Sequence, residues 1–455
     1  MRSMLDRRLE VESMNKDWTL HVENFAKIKT ADVKISPLMC FVGDNNSGKS
    51  YLMSLLWGIL TLGKDIFPKM PSESKAYKKC ETWLNQNLNQ NVVLSNEEIN
   101  LYILWFNDLL ATNRKGLVKK IFNYEVEIEK IEILNYHRKK KFEICWEQTA
   151  ERYSVTETYV KFPKQENCNR EQLLRMNAYI CWNILMEGIA EPLYTPMVKG
   201  RRMGEPVYLP ASRTGFMLTY PQLIENSLQI SFTPGIQENS SALTLPYVDF
   251  LQLITKFETK AKLGKKKAEI VQYIEEEMTK GHLSVKKDMI PVIKYHPLGM
   301  EKEIPLYVAS SIVAEISPLL LLFKSDINFK TLIIEEPEAH LHPELQQKMA
   351  RLIINLVNSG IPVWITTHSD TILQHINNMV KLKKNEEANV LMKEYNYTKK
   401  DLLNPEEVSM YQFIPTGIEK TKLEQLECTK YGFVVPTFNN ALEKIVREVY
   451  AFQED

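Results

Sequence analysis

Glycine is scarce in this sequence, and long apolar runs are absent. Only 16 of the 455 residues are glycine, which excludes a collagen-like or glycine-rich low-complexity chain. The longest strongly apolar run, residues 318–323, is too short to cross a bilayer. The N-terminal segment is charged throughout and therefore does not have the apolar centre of a signal peptide. Together these absences predict a soluble, cytoplasmic protein without a membrane-spanning segment.

Cysteines are few, and none lies close to another along the chain. Two cysteines within four residues would indicate a zinc knuckle or a redox motif, and no such pair occurs. A disulfide-stabilised secreted scaffold would be shorter and richer in cysteine. The spacing therefore predicts reduced thiols for Cys40, Cys80, Cys145, Cys168, Cys181 and Cys428.

An excess of either charge is also missing, because 57 basic residues balance 57 acidic ones. This balance excludes a surface built as a whole for nucleic acid or for an anionic membrane, but it leaves room for local patches. One such patch is the lysine-rich stretch from Lys256 to Lys267, within a segment that we predict to be helical from 251 to 280. A solvated helix face is the favoured interpretation, and a contact with a phosphate backbone is the alternative.

The chain is long enough for two or three lobes, and its two ends carry the pattern of an α/β protein. A hairpin and a buried strand at 38–42 precede a helix at 50–62. Strands at 332–334 and 363–366 alternate with a helix at 343–357. This alternation indicates a mainly parallel sheet in that part of the chain, with helices on both faces.

The segment from Gly43 to Ser50, GDNNSGKS, matches the phosphate-binding loop G-x-x-x-x-G-K-[ST]. Glycines at this spacing let the backbone curl so that successive N–H groups point at phosphate oxygens. Lys49 would reach the β- and γ-phosphates, the Ser50 hydroxyl would bind Mg²⁺, and the following helix would add the positive end of its dipole. We therefore predict ATP and Mg²⁺ as cofactors. The predicted nucleotide-binding residues of this segment are Gly43, Asn45, Asn46, Ser47, Gly48, Lys49, Ser50 and Tyr51.

A second signal is TLIIEEPEAHLHP at 331–343, an apolar strand that ends in two adjacent carboxylates. Glu335 would bind Mg²⁺, directly or through water, and Glu336 would orient or deprotonate the attacking water. A strand that merely ends in an acidic turn is the alternative, and the phosphate loop in the same chain argues against it. His340 and His342 permit a zinc site, but without a third ligand we favour a structural role.

A third apolar run, VWITTHS at 363–369, ends in a histidine, His368. A histidine there would hydrogen-bond the γ-phosphate or the attacking water and so report hydrolysis. A lone histidine is more often structural, but its place after the other two motifs favours the functional role. Glu336 and His368 are thus the predicted catalytic residues.

In this order, GDNNSGKS, IIEEPEAHLHP and ITTHS resemble the ABC-type ATPase heads of chromosome-maintenance, recombination and overcoming-lysogenization (OLD) proteins. The resemblance implies an α/β fold, namely an ABC-ATPase-like P-loop head with a mixed sheet and a large, mainly helical insertion. It also implies a homodimer or a higher homo-oligomer. Each nucleotide would lie between the phosphate loop of one chain and the signature segment of the other.

These patterns divide the chain into five expected parts, and no internal repeat indicates a solenoid. The parts are an N-terminal ATPase lobe at 17–64, a mainly helical insertion at 65–204, a return to the ATPase core at 205–250, a charged helical segment at 251–290 and a C-terminal ATPase lobe at 291–455. The insertion is the expected partner- or DNA-facing part.

The expected signature segment is Ala309–Ile312, with Ser310 and Ser311 as its nucleotide contacts. It departs from the usual Leu-Ser-Gly-Gly pattern, because Ile312 stands where a second glycine would allow close approach to the γ-phosphate. Hydrolysis would therefore be slow, or the two serines would make the contact alone. A plain helix cap is an equally weighted alternative.

Arg213, in the segment YLPASRTGF, resembles an arginine that OLD-like ATPases carry between the two halves of the head. It would sense the γ-phosphate. A surface ion pair is an equally weighted alternative.

OLD nucleases continue into a Toprim domain with a catalytic Glu and an Asp-x-Asp, which the residues after His368 do not match. A His-Asn-His cluster is not found either, so we expect no nuclease site in this chain. Size and pattern resemble the ATPases of bacterial anti-phage systems. The Septu type (PtuA), whose partner is a small HNH endonuclease, comes first, and the PARIS type, which restrains a separate effector, comes next.

The predicted function is therefore an ATP-binding and ATP-hydrolysing switch that controls a partner nuclease, which that resemblance implies to be of HNH type, or another effector. An ATP-dependent DNA-binding clamp in repair or chromosome maintenance is the alternative. A transporter ATPase subunit fits poorly, because neither the insertion nor the EEPE pattern suits it.

Overall fold

The computed structural model describes most of the chain. The described residues are 14, 16–148, 150, 152–193, 204–232, 243–260, 262–288, 290–417, 419–430, 432–435 and 446–452. The charged N-terminal segment and the first residues of the final helix, which the sequence predicts from Asn440, lie outside them. Residues 446–452 of that predicted helix are helical.

The described chain contains strands and α-helices, which alternate in some parts and form runs of one type in others. The strands are β1 (Lys16–Phe25), β2 (Ile28–Lys34), β3 (Leu38–Val42), β4 (Val92–Leu94), β5 (Lys130–Arg138), β6 (Phe142–Glu147), β7 (Ser154–Val155), β8 (Tyr159–Pro163), β9 (Glu205–Leu209), β10 (Gly281–Lys286), β11 (Val292–Pro297), β12 (Ile304–Pro305), β13 (Phe329–Glu335), β14 (Val363–Thr367), β15 (Val408–Pro415), β16 (Thr421–Leu426), β17 (Cys428–Thr429) and β18 (Gly432–Phe433). The α-helices are α1 (Lys49–Leu62), α2 (Lys75–Gln86), α3 (Asn96–Phe122), α4 (Arg170–Met186), α5 (Arg213–Phe232), α6 (Leu245–Ile254), α7 (Lys265–Tyr273), α8 (Ser311–Lys324), α9 (Pro343–Asn358), α10 (Asp370–Lys384) and α11 (Ala388–Glu394).

One mixed sheet of nine strands, in the order β5-β1-β2-β16-β15-β3-β14-β13-β9, organises the fold. The pairs from β15 to β9 are all parallel. On the other side the pairs β15–β16, β2–β1 and β1–β5 are antiparallel, including the predicted hairpin of β1 and β2, while β16 and β2 are parallel. The predicted α/β class with a mixed sheet is therefore confirmed.

Strand β3 shows how the sheet separates two cores. All five of its residues are buried. Because successive side chains of a strand point to opposite faces, Met39 and Phe41 join one core and Leu38, Cys40 and Val42 join the other. Helices cover both faces, as the unbroken apolar run predicts.

The segment between α1 and β9 packs against the first of these cores. It contains α2, α3 and α4 together with a small four-stranded sheet in the order β4-β6-β8-β7. Capping boxes begin its two longest helices, Ser95 with Glu98 in α3 and Asn169 with Gln172 in α4. The expected insertion thus contains three helices and a small sheet, while its strand β5 pairs with β1 and belongs to the nine-stranded sheet.

The predicted helix from 251 to 280 is interrupted. Helix α6 ends at Ile254, buried Phe257 anchors the following turn, and α7 begins only after Gly264. A π-helical turn, Ile274–Thr279, completes the segment. Because Phe257 is drawn into the core, the chain cannot continue as one exposed helix there.

Two predictions from composition can be compared with the structure directly. All six cysteines are free. Within the part of the chain that the structure describes, no helix has both the length and the apolar character that a bilayer crossing requires.

Candidate functional site

The topology brings the three motifs to one edge of the sheet. Strands β3, β14 and β13 are parallel neighbours, with Val42 beside Thr367 and Glu335 beside Thr366. The residues that follow the carboxyl ends of these strands therefore lie side by side. The phosphate loop (residues 43–50), the carboxylates of Glu335 and Glu336, and His368 all stand at this edge.

Backbone conformations that suit glycine shape the phosphate loop. Gly43 has a φ of 149° and Gly48 a φ of 108°. A Cβ at Gly43 would lie 2.9 Å from the Cβ of Phe413, and one at Gly48 would lie 2.9 Å from Ile28 Cγ1. The loop is thus pressed against β15 and β2 and has no room for side chains at these two positions.

Lys49 folds back over the phosphate loop. Its Nζ donates to the carbonyl oxygens of Gly43 at 2.9 Å and Asp44 at 2.7 Å, and to Ser47 Oγ at 3.4 Å. Burial lowers the pKa of Lys49, while the nearby Glu336 carboxylate opposes this effect. The ammonium therefore already stands at the mouth of the loop, where it would meet phosphate oxygens.

The remaining predicted residues of the loop differ in exposure. Asn45, Asn46 and Ser50 are exposed, and Ser47 is buried. The carbonyl oxygen of Ser47 accepts a 2.8 Å hydrogen bond from Thr421 Oγ1, which ties the loop to β16. Sequence reasoning missed Thr421.

Tyr51 is the third residue of α1 and is partly exposed, with its ring stacked on Phe122 at 5.3 Å and edge-on to Phe25 at 6.1 Å. The ring therefore lies against the helical insertion rather than inside the loop.

Glu335 ends β13 as a buried carboxylate, 1% exposed. Its Oε2 accepts a 3.2 Å hydrogen bond from the backbone N–H of Ala211, and its buried Oε1 has no hydrogen-bond partner of good geometry among the described residues. Burial raises the pKa of Tyr247 to about 12, and the negative charge of the Glu335 carboxylate is the second cause. The pKa of Tyr208 is raised in the same way.

An unpartnered, buried carboxylate oxygen fits a cation. Mg²⁺ at phosphate sites takes one or two carboxylates and the substrate's own oxygens, rather than a full protein cage. Among the described residues, no group of three or more His, Cys, Asp or Glu side chains could hold a metal ion. Glu335 and the exposed Ser50 hydroxyl at the start of α1 are the residues that would hold Mg²⁺.

Glu336 adopts a backbone conformation that non-glycine residues rarely take, with a φ of 45°. Its backbone N–H donates to the Thr366 carbonyl at 3.0 Å, which holds this turn against β14. The side chain is 41% exposed, and its Oε1 lies 3.9 Å from His368 Nε2. Strain of this kind persists where the surrounding contacts impose it, and it commonly occurs at functional sites.

His368 and Glu336 face each other beside Lys49. Burial, and secondly the Lys49 ammonium, lower the pKa of His368, so the imidazole is neutral at pH 7. The backbone N–H of His368 donates to Glu338 Oε1 at 2.5 Å. Burial raises the pKa of the Glu338 carboxyl. Glu338 is a second residue that sequence reasoning missed, although it lies within the EEPE pattern.

His340 and His342 do not belong to any group of metal-ligating side chains within the described chain. His342 is the N-cap residue of α9 and accepts a 3.5 Å hydrogen bond from the Glu344 N–H through Nδ1. His340 is exposed in a turn with a φ of 59°. The structure thus agrees with the structural role that the sequence favours for His342.

Ser310 and Ser311 stand at the amino-terminal end of α8. Ser310 is its N-cap residue, but its side chain makes no capping hydrogen bond. Both serines are exposed, and exposed Tyr307 and Val308 precede them. The hydroxyls are therefore accessible at a helix N-terminus.

Arg213 is buried, 2% exposed, so the alternative of a surface ion pair is wrong. Its guanidinium forms a buried ion pair with Glu315 of α8 and donates to the carbonyl oxygens of Glu335 at 2.6 Å and Glu336 at 3.0 Å. Sequence reasoning missed Glu315. The available signal was a single carboxylate in the otherwise apolar helix IVAEISPLLLLF.

Comparison with known families gives one match that spans most of the chain. A family model described as the AAA ATPase domain matches residues 19–190 and 215–373. The matched ranges contain the phosphate loop, Glu335, Glu336 and His368. No curated protein sequence matches the chain.

Similar solved structures include three SMC heads. The chain is 12% identical to an SMC head bound to the C-terminal winged-helix domain of ScpA (TM-score 0.36, 90% of this chain and 98% of that chain covered). It is 8% identical to an SMC head domain from Thermotoga maritima (TM-score 0.33, 90% and 98% covered). It is 12% identical to an SMC head with an extended coiled coil, bound to the C-terminal domain of ScpA derived from Pyrococcus furiosus (TM-score 0.33, 96% and 100% covered).

The family match and the sheet agree with each other. A phosphate loop between a central parallel strand and a helix, together with an acidic strand end on the same sheet, is the arrangement of a P-loop ATPase. The fold is therefore an ABC-ATPase-like P-loop head, as the sequence predicts.

Proposed function

The chain belongs to the AAA ATPase domain family, and from that premise we propose that it is the ATP-dependent switch subunit of a bacterial anti-phage defence system. In this proposal it is a cytoplasmic ATPase that controls a separate partner nuclease, of HNH type, or another effector. The observation that carries the ATPase part is the convergence of Lys49, Glu336 and His368 at the carboxyl edge of the sheet.

The roles of the site residues follow from their chemistry. Lys49 would exchange its contacts with Gly43 and Asp44 for phosphate oxygens, since both partners are carbonyl oxygens of the loop itself. Mg²⁺, held by Ser50 and Glu335, would neutralise phosphate charge. Glu336 would orient the attacking water and accept its proton, while neutral His368 would donate a hydrogen bond from Nε2.

The switch requires a second copy of the chain. Ser310 and Ser311 are exposed at the N-terminus of α8, and such a terminus favours a phosphate that another chain presents. We therefore propose a head-to-tail homodimer, or a higher oligomer built from it. In this proposal the nuclease is a different protein.

A DNA clamp is the second candidate, and one surface favours it. Lys256, Lys262, Lys265 and Lys266 are exposed. Lys267 instead donates to the carbonyl oxygens of Ser325 and Ile327, and is not free for a phosphate backbone. The clamp predicts ATP-dependent DNA binding that weakens as salt is raised and does not need any partner protein.

The decisive experiment combines a site variant with a search for the partner. In cells challenged with phage, Lys49→Ala should abolish nucleotide binding and protection together, while Lys29→Ala, an exposed lysine of β2, should change neither. Protection that survives Lys49→Ala would contradict the switch.

Tagged protein expressed with its neighbouring genes should recover a small nuclease in fixed proportion, and the yield should depend on ATP. Recovery of the chain alone, or with DNA only, would contradict the defence proposal and favour the clamp.

A further inference from the structure

Arg213 joins three elements close to the sheet edge that carries Glu335 and Glu336. It is the first residue of α5, and its guanidinium reaches the loop before that helix, the end of β13 and the first part of α8. The donors contact the carbonyl oxygens of Pro210 at 3.1 Å and Glu315 at 3.4 Å, besides those of Glu335 and Glu336. A planar guanidinium has its donors in a fixed fork, so these contacts set the three elements relative to one another.

Glu315 completes the arrangement from the side of α8. Its side chain is fully buried, and it forms the ion pair with Arg213 and accepts a hydrogen bond from Thr214 Oγ1. Glu315 lies about one helical turn after Ser311, on the same helix that presents the exposed serines. A displacement of α8 would therefore act directly on the Arg213 guanidinium.

Two of the carbonyls that Arg213 contacts belong to Glu335, the proposed Mg²⁺ ligand, and to Glu336, the proposed catalytic base. Glu336 has a φ of 45°, a conformation that the isolated residue would not keep. Its carbonyl is held by Arg213 and its N–H by the Thr366 carbonyl. Both sides of this unusual residue are thus fixed, one by the sheet and the other by the arginine.

Stability alone does not explain such a pair. Burial lowers the pKa of Arg213 and raises that of Glu315, which shows that both ions pay a desolvation cost. A buried ion pair is often no more stabilising than well-packed apolar residues of similar volume. What an apolar pair could not supply is directional hydrogen bonding to the carbonyls of Glu335 and Glu336.

We propose that Arg213 and Glu315 are positioning residues that couple the seating of α8 to the orientation of the Glu336 carboxylate. Contact of the serine end of α8 with a second chain would thereby set Glu336 for hydrolysis. In this proposal Arg213 acts through the carbonyls of Glu335 and Glu336 rather than as the γ-phosphate sensor that the sequence predicts. This inference rests on the proposed ATPase function and deepens it.

The test separates nucleotide binding from turnover. Arg213→Lys keeps a positive charge beside Glu315 but cannot span both carbonyls. It should lower kcat for ATP hydrolysis about tenfold or more, because a small misplacement of a catalytic group has effects of that size. The Kd for ATP and KM should change less than about threefold. Glu315→Gln, which keeps the hydrogen bond from Thr214, should lower kcat in the same direction and by less.

A matched control lies at the other end of the same helix. Lys324, the last residue of α8, forms a buried ion pair with Glu275 at 2.7 Å, at the opposite end of the helix from Ser310. Lys324→Met should lower the Tm as much as Arg213→Lys and leave kcat within about twofold of the wild type. A purely structural role for Arg213 predicts instead that kcat follows the Tm in all three variants.

The outcomes are distinct. If Arg213→Lys and Glu315→Gln hydrolyse ATP at the wild-type rate, or lose ATP binding together with turnover, the positioning role is wrong while the ATPase function stands. If the wild type itself binds ATP and never hydrolyses it, the ATPase function is wrong and the positioning role is overturned with it.

Discussion

At the scale of single residues, Glu336 combines two requirements that rarely coincide. Its carboxylate must reach the site, and its backbone must turn in the left-handed region at a φ of 45°. The sequence shows the first requirement, because two adjacent carboxylates end an apolar strand. It does not show the second, because the conformation is imposed by Thr366 and Arg213. A substitution that keeps the size and shape of the Glu336 side chain therefore tests the chemical role of its carboxylate.

Glu336→Gln should bind ATP as the wild type does and hydrolyse it about 100-fold more slowly or worse, because an amide cannot accept the proton of the attacking water. Single-turnover hydrolysis and retention of ATP on a desalting column would measure the two effects. Glu344→Gln, on the first turn of α9, is the control and should leave both unchanged. Hydrolysis at the normal rate by Glu336→Gln would exclude Glu336 as the base.

His375 makes a residue-scale prediction about pH. It lies on α10, is 3% exposed, and has its ring 5.9 Å from that of Tyr397. Burial lowers its pKa to about 4. The Asp401 carboxylate raises this pKa by a smaller amount, and the Arg351 guanidinium lowers it further. Because the folded-state pKa lies below the ordinary value, the unfolded chain takes up a proton more readily between about pH 6.5 and 4.

The stability that neutral His375 contributes is therefore present above pH 6.5 and is lost as the pH falls through this window. Its share of the loss should be about 1 kcal/mol between pH 7.5 and 5.5. Urea unfolding at the two pH values would measure the difference. In His375→Gln that share should disappear. A variant with the same pH dependence as the wild type would show that His375 is not the group concerned.

At the scale of elements, the phosphate loop depends on two positions that accept only glycine. Gly48→Ala places a Cβ 2.9 Å from Ile28 Cγ1 at a residue with a φ of 108°. We expect at least a tenfold loss in ATP affinity with the far-UV spectrum unchanged, because the loop must shift away from β2. Fluorescent-nucleotide titration would measure the affinity.

Gly116→Ala is the matched control, since Gly116 lies within α3 and a Cβ there meets nothing within 4 Å. It should stabilise the protein by about 0.5–1 kcal/mol and leave ATP binding unchanged. Undiminished ATP binding by Gly48→Ala would mean that the loop tolerates a side chain at this position.

The elements also show what sequence reasoning can and cannot reach. Strands β3, β13 and β14 were predictable, because continuous apolar runs bounded by polar residues are typical of buried parallel strands. The break after α6 was not predictable, because it depends on the burial of Phe257 in the tertiary core. Likewise, the phosphate loop is a local pattern, whereas the Arg213–Glu315 pair joins residues 102 positions apart and follows only from the tertiary fold.

At the scale of the whole molecule, the sheet puts the site at a boundary between two cores. One core includes α1 and the insertion, and the other includes α8, α9 and α10. The phosphate loop leads into α1, while Glu335 and Glu336 precede α9 and Ser310 begins α8. The proposed nucleotide site therefore draws on both halves of the head, and the proposed dimer would bring the exposed serine end of α8 to the phosphate loop of a second copy.

A head-to-tail dimer makes a prediction that one chain alone cannot satisfy. Lys49→Ala removes the phosphate-loop contribution of a copy, and Ser310→Arg places a long side chain at its α8 end. In a mixed dimer one of the two sites carries both changes and the other carries neither. Each variant alone should be inactive, and an equal mixture should regain about a quarter of the wild-type ATPase activity, since half of the dimers are mixed. Activity after subunit exchange, verified by co-purification through two different tags, measures this recovery. If exchanged mixtures remain inactive, or if Ser310→Arg alone is as active as the wild type, the two ends do not share a nucleotide.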